Sequence, residues 1–174
     1  MRRRQVLTAL VVVGLIAGAG SASAQKSGEV KPLTAQDSFE IWQLIGKYNQ
    51  GSDLRDAEMW LSIWTPDASF QIGTGKPMVG TKELTDFRMN NFKSRQPESK
   101  PRHWDNALVL TPTAQGANGR MYYVTYETSG KVPVLMNSGY YDDVFVRTPA
   151  GWRIKNRVVN FDAPPAAPAP ASTR

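Results

Sequence analysis

His103 is the only histidine in this chain of 174 residues, and no cysteine accompanies it. An imidazole, with an ordinary pKa of about 6.5, can take and return a proton near neutrality. Three other side chains could work with such a base. Asp53 is a carboxylate that could orient an imidazole, although Asp also serves as the N-cap of a helix. Tyr48 offers a phenol for hydrogen bonding, or an ordinary core ring. Arg157 could bind a carboxylate, an enolate or a departing anion. Trp64 and Tyr140 are the aromatic residues assigned to the wall of a pocket, and the remaining aromatics are assigned to packing.

Several chemistries are disfavoured. With one His, no Cys and no clustered acids, no metal site is expected. Asp142-Asp143 puts one carboxylate on each face of a strand, because side chains alternate, so it is not an acid pair. Gly73-Thr74-Gly75-Lys76 lacks the spacing and the following hydroxyl of a phosphate loop. No cofactor is expected.

The elements that must position these residues follow from periodicity. Thr34 and Asp37 have capping-box spacing. Ile41, Leu44, Ile45 and Tyr48 then fall on one face of a first helix, so Tyr48 points with the core. Gly51-Ser52 is expected to interrupt. A second helix from about residue 54 or 56 to Trp64 shows Ala57, Trp60, Leu61 and Trp64 to the interior, and Pro66-Asp67 ends it. Ala68 to Ile72 alternates as a strand, and Thr81 is expected to cap a third helix reaching Phe92. Beyond Pro101 the period becomes two, with long strands over 102–110, 120–127, 132–147 and 152–161. Alternation that turns Trp152, Ile154 and Val158 inward turns Arg157 outward. Helices followed by long antiparallel strands indicate an α+β domain whose curved sheet encloses a pocket.

The ends of the chain differ from this domain. Arg2-Arg3-Arg4, an apolar stretch from Leu10 to Ile16 and Ala22-Ser23-Ala24 have the order of a cleavable signal over residues 1–24. The stretch is short for a membrane span, which needs about 20 apolar residues, so no stable anchor is expected. Arg3-Arg4-Gln5-Val6-Leu7 also resembles a twin-arginine signal, leaving the export route open. Cleavage would remove three of the 21 basic residues and none of the 15 acids, lowering the formal charge from +6 to +3. The remaining bases are scattered among acids, which argues against nucleic acid as a partner. Residues 25–35 read as an irregular lead-in, 36–161 as the domain, and the Pro/Ala-rich 162–174 as a disordered tail. The protein is expected to be exported, to the periplasm or beyond.

A family resemblance rests on ordered landmarks. They are Ile45-Gly46-Lys47-Tyr48 running to Asp53, Trp60 to Trp64 with Thr65-Pro66-Asp67-Ala68, and Arg102-His103 opening a strand with Asn106. Gly139-Tyr140-Tyr141-Asp142-Asp143 to Arg147 and Gly151-Trp152-Arg153-Ile154 to Arg157 complete them. Together they resemble the SnoaL-like domains of the nuclear-transport-factor-2-like superfamily, in the branch of bile-acid-type dehydratases and dehydrochlorinases. The resemblance implies a cone of three helices on a strongly curved antiparallel or mixed sheet enclosing a pocket. It places Asp53 and His103 where such enzymes keep an Asp-His pair, and Tyr48 near the leaving or carbonyl oxygen. It implies a cofactor-independent lyase acting on a hydrophobic small molecule, or a related isomerase or hydrolase. The alternative is a non-catalytic ligand-binding or dimerisation module of the same fold. Either way a homodimer or homotrimer is expected. Specificity is expected from the loops Gly73 to Gly80 and Ser129 to Asn137.

Overall fold

A computed structural model describes residues 29–163. The signal segment and the Pro/Ala tail from residue 164 onward lie outside the described residues. Residues 29–34 carry no regular structure, and Thr34 then opens α1 (Ala35–Asp53). Its hydroxyl accepts from the Asp37 backbone N–H while the Asp37 carboxylate accepts from the Thr34 N–H, which satisfies two otherwise orphaned donors. Ile41, Leu44, Ile45 and Tyr48 are buried on one face as their spacing requires.

Gly51-Ser52 does not interrupt this helix. Both residues are helical and buried, and Gly51 is there to let α2 (Ala57–Leu61) come close. A Cβ on it would meet the Trp60 backbone nitrogen at 2.8 Å. The chain reverses through Arg55, held at φ 60°, and the Asp56 N–H returns to the Gly51 carbonyl. Asp56 is the N-cap of α2, its side chain accepting from the Met59 N–H at 2.8 Å. Asp53 is thereby released from the capping role.

The second helix is one turn long, shorter than its apolar pattern suggests. Trp64 opens β1 (Trp64–Ile72) instead of ending α2, and Pro66 lies within that strand. Proline is accommodated because the pairing with β6 is irregular between Trp64 and Ser69, so no ladder bond is lost there. After β2 (Met78–Val79) comes α3 (Gly80–Ser94). Thr81 does not cap it. The Glu83 carboxylate accepts from the Val79 N–H, and the Thr81 hydroxyl donates to the Pro66 carbonyl.

Four long strands complete the fold: β3 (Pro101–Thr113), β4 (Gly116–Glu127), β5 (Val134–Thr148) and β6 (Gly151–Phe161). The order across the curved, unclosed sheet is β2-β1-β6-β5-β4-β3, with β1 and β6 parallel and the rest antiparallel. The expected α+β class and mixed sheet are both present. The core between helices and sheet is aromatic: Trp60 packs on Trp64 at 4.9 Å between ring centroids, and Tyr123 stacks on Tyr141 at 4.5 Å.

One irregularity reassigns a functional candidate. In the β5–β6 ladder Val144 faces Asn156 but Phe145 faces Ile154, so one residue of β6 bulges out of register. Strict alternation turns Arg157 outward. The bulge turns it inward, after Trp152 and Ile154, and leaves it with none of its surface exposed.

Candidate active site

The helices and the concave face of the sheet enclose a cavity of about 390 Å³, of a size that small-molecule sites have. Tyr48 from α1, Phe70 from β1, His103 from β3, and Tyr123 and Tyr141 from β4 and β5 supply its aromatic wall. Arg88 and Asn91 from α3, with Arg95 at its C-cap, supply a polar one. Met136 and Asn137 reach it from the start of β5, as expected of that loop region. Residues 73–80 do not, and Gly73 to Gly75 border a separate groove.

His103 belongs to an edge strand, and Asp53 stands against that edge. The Asp53 Oδ2 accepts from the His103 backbone N–H at 3.0 Å, while Oδ1 meets the ring Nδ1 at 2.6 Å. The carboxylate thus covers an edge donor and orients the imidazole in one contact. Since a carboxylate has no proton to give, this contact favours the tautomer with its proton on Nδ1, which leaves the Nε2 lone pair free for a base. The Asp53 and His103 side chains retain 7% and 17% of their exposure, so the pair is shielded but reachable through the cavity.

Tyr48 joins them. Its ring meets the imidazole edge-on, centroids 6.2 Å apart, and the residue lines the same cavity. Burial raises its pKa, although Arg157 and Arg88 pull the other way. It stays a neutral phenol, the form that donates a hydrogen bond.

The other three candidates lie elsewhere. Trp64 is core, packed behind Tyr48 and Phe70 and not on the cavity wall. Tyr140 faces the opposite side of the sheet, under the Arg120 guanidinium at 4.7 Å; its neighbour Tyr141 is the cavity residue. Arg157 lies beneath the cavity floor. Its Nε and Nη2 donate to the two oxygens of Asp143, both at 2.7 Å, and both side chains are fully buried. The guanidinium also lies in the corner between the Tyr48 and Tyr141 rings, 4.2 Å from each centroid, the two rings being tilted by 70° to each other. Asp143 raises the Arg157 pKa against the opposing effect of burial, which is the largest single influence on it. Arg157 therefore braces Tyr48 instead of presenting a charge to a ligand.

The residues missed by sequence reasoning are Arg88, Arg95 and Tyr141. The first had a legible signal, for Leu84, Arg88 and Phe92 recur every four residues and all three are buried. Asp105, two residues beyond His103, was also missed. Burial raises its pKa, opposed by the Arg157 charge and by the Asn49 side chain beside it. Among the described residues no three His, Cys, Asp or Glu side chains group together as metal ligands would. No helix among them is long and apolar enough to cross a membrane.

Comparison with known proteins agrees with this architecture. The family description "SnoaL-like domain" matches residues 34–158. No functionally curated protein sequence matches the chain. Among solved structures, a protein of unknown function with a cystatin-like fold from Nostoc punctiforme superposes with a TM-score of 0.68 at 19% identity, over 77% of this chain and 97% of the other. ActVI-ORFA from Streptomyces coelicolor gives 0.65 at 21% identity, over 72% and 97%. A Novosphingobium aromaticivorans protein described as a candidate aromatic ring hydroxylase gives 0.66 at 26% identity, over 78% and 95%.

Proposed function

The chain belongs to the SnoaL-like domain family, and from that premise we propose that it is a cofactor-independent lyase that eliminates water, or a comparable leaving group, from a hydrophobic ring compound. The observation that carries the reading is the contact between Asp53 and Nδ1 of a histidine whose ring borders the cavity.

In this reading His103 Nε2 removes a proton from the carbon next to a carbonyl, and the electron pair left behind forms the new carbon–carbon double bond. The carbon–oxygen bond on the neighbouring carbon breaks, and the departing hydroxide takes a proton to leave as water. Asp53 stabilises the imidazolium formed in the first step. Tyr48 donates to the leaving or carbonyl oxygen. The reaction is redox-neutral, so protons and electrons balance without a cofactor. The aromatic cavity wall supports a flat substrate, as does the description of the Novosphingobium neighbour.

The test is turnover. A panel of cyclic β-hydroxy ketones is screened by mass spectrometry for loss of water, and the active compound is then offered to His103→Ala. Loss of turnover with binding retained supports the mechanism, and unchanged turnover refutes it.

A second reading, that the fold serves assembly or ligand capture, is favoured by one surface. Trp104 and Tyr122 are more than half exposed on the outward face of the sheet, and Trp104 packs on Tyr126 with ring centroids 4.7 Å apart. We propose that this face pairs two copies of the chain, an assembly compatible with catalysis. Export is proposed as well, from residues 1–24, and is tested by the N-terminus of the protein recovered from its source.

A further inference from the structure

Arg88 brings a positive charge into the cavity wall without bringing an acid with it. Only 4% of the residue is exposed. Its guanidinium lies 4.2 Å over the Trp60 ring and 5.2 Å from Phe87 and Phe92. Rings stabilise a cation but accept no N–H in the guanidinium plane. Nη1 reaches the Asn91 side-chain oxygen at 3.4 Å, a long bond, and Nε is sealed from solvent with no partner. None of the ion pairs among the described residues includes Arg88. Asp53, the acid that acts on it electrostatically, has spent both oxygens on His103.

Arg95, the C-cap of α3 seven residues further on, repeats the pattern. Its Nη2 shares the Asn91 oxygen at 3.4 Å, and its Nη1 donates to the Ser52 carbonyl at 2.9 Å, so it too meets no carboxylate. One side of the cavity thus holds two cations, one of them deeply buried. The same cavity is lined by the imidazole and the aromatic rings, and Arg95 Nη1 also reaches the Asp53 backbone carbonyl at 3.4 Å. A buried cation with no counter-ion is costly, and a ligand that supplies the missing charge recovers that cost on binding.

We propose that Arg88, supported by Arg95, is an anion subsite of this cavity, and that the substrate is a ring compound bearing a carboxylate. Asn91 takes only a long bond from Nη1, which leaves Nη2 without a hydrogen-bond partner among the described residues, and a carboxylate oxygen placed there accepts a charge-assisted bond. The ring then lies among Phe70, Phe87 and Tyr141, toward His103. This deepens the proposed function and rests on it only in taking the cavity as the substrate site.

The test is calorimetric titration of the purified protein with 1-naphthoate and with its neutral counterpart 1-naphthamide. The carboxylate is expected to bind about tenfold more tightly, as a charge-assisted hydrogen bond implies. Arg88→Gln is expected to erase that preference while retaining affinity for the amide, and Arg95→Gln to reduce it by less. Equal affinity of the two compounds for the wild-type protein, no measurable binding of the carboxylate, or a preference that survives Arg88→Gln overturns the proposal. Should Arg88→Gln not fold, the wild-type protein still decides through its Arg88 Nε–H resonance. Naphthoate should shift it and naphthamide should not; the reverse result, or no shift, refutes the subsite. Binding is read without turnover, so failure here is distinguishable from failure of the elimination chemistry.

Discussion

Both carboxylate oxygens of Asp53 are committed to one residue, His103, one to its ring Nδ1 and one to its backbone N–H. An amide cannot replace this arrangement, because Asn would face one of the two donors with an NH₂ group. Asp53→Asn is therefore expected to lower stability by about 1–3 kcal/mol and any turnover by about 100-fold or more. Because His103 is the sole histidine, a ¹⁵N spectrum of the ring at alkaline pH reads its tautomer without assignment. The wild-type ring should be protonated at Nδ1. A wild-type ring protonated at Nε2 would remove the free lone pair on which the proposed mechanism depends.

The Arg157–Asp143 pair is buried with no exposure on either side chain. Removing one charge strands the other, so Asp143→Asn or Arg157→Met should each cost about 3–5 kcal/mol, whereas removing both together should cost less than the sum. Urea unfolding of the two single variants and the double variant measures the coupling. Additive losses would show that the two groups do not depend on each other.

Gly51 is where α1 meets α2, and Gly51→Ala pushes a methyl group against the Trp60 backbone. A loss of about 1–3 kcal/mol is expected from such overpacking. Since Asp53 lies two residues on, the His103 ring signals should move as well. Thermal unfolding and the same ¹⁵N spectrum test both effects.

Glu127 ties two loops together by accepting from the Ser99 hydroxyl and from the Lys100 and Ser129 N–H groups. These bonds, that from Ser99 first, lower its pKa from 4.5 to about 2. A carboxyl depressed in the folded state stabilises the fold above its unfolded pKa, and that contribution fades as pH falls from about 4.5 through about 2. Acid titration of stability for wild type and Glu127→Gln should show this component in the first and not in the second. Parallel curves would mean that the loops are held by other contacts.

If the outward sheet face pairs two copies, Trp104→Glu should convert a dimer to a monomer in light scattering while leaving the Asp53–His103 contact intact. A monomeric wild-type protein at the same concentration refutes the pairing.

Much of this architecture was legible in the sequence because it depends on neighbours along the chain. The capping box at Thr34 and Asp37, the buried face from Ile41 to Tyr48 and the two-residue period after Pro101 are local patterns, and each appears in the structure. The ordered landmarks identified the family, and with it the positions of Asp53 and His103. What periodicity could not supply was the outcome of competition between distant segments. Asp53 was free to hold His103 only because Asp56 caps α2. Tyr141 and not Tyr140 faces the cavity because cross-strand register fixes which face is enclosed. Arg157 turns inward because a single bulged residue in β6 reverses the alternation, and its partner Asp143 is 14 residues away on another strand. Sequence determined which side chains were available for chemistry. Tertiary structure alone decided which of them share a cavity, since facing and counter-charge depend on strand register and on packing between elements far apart in the chain.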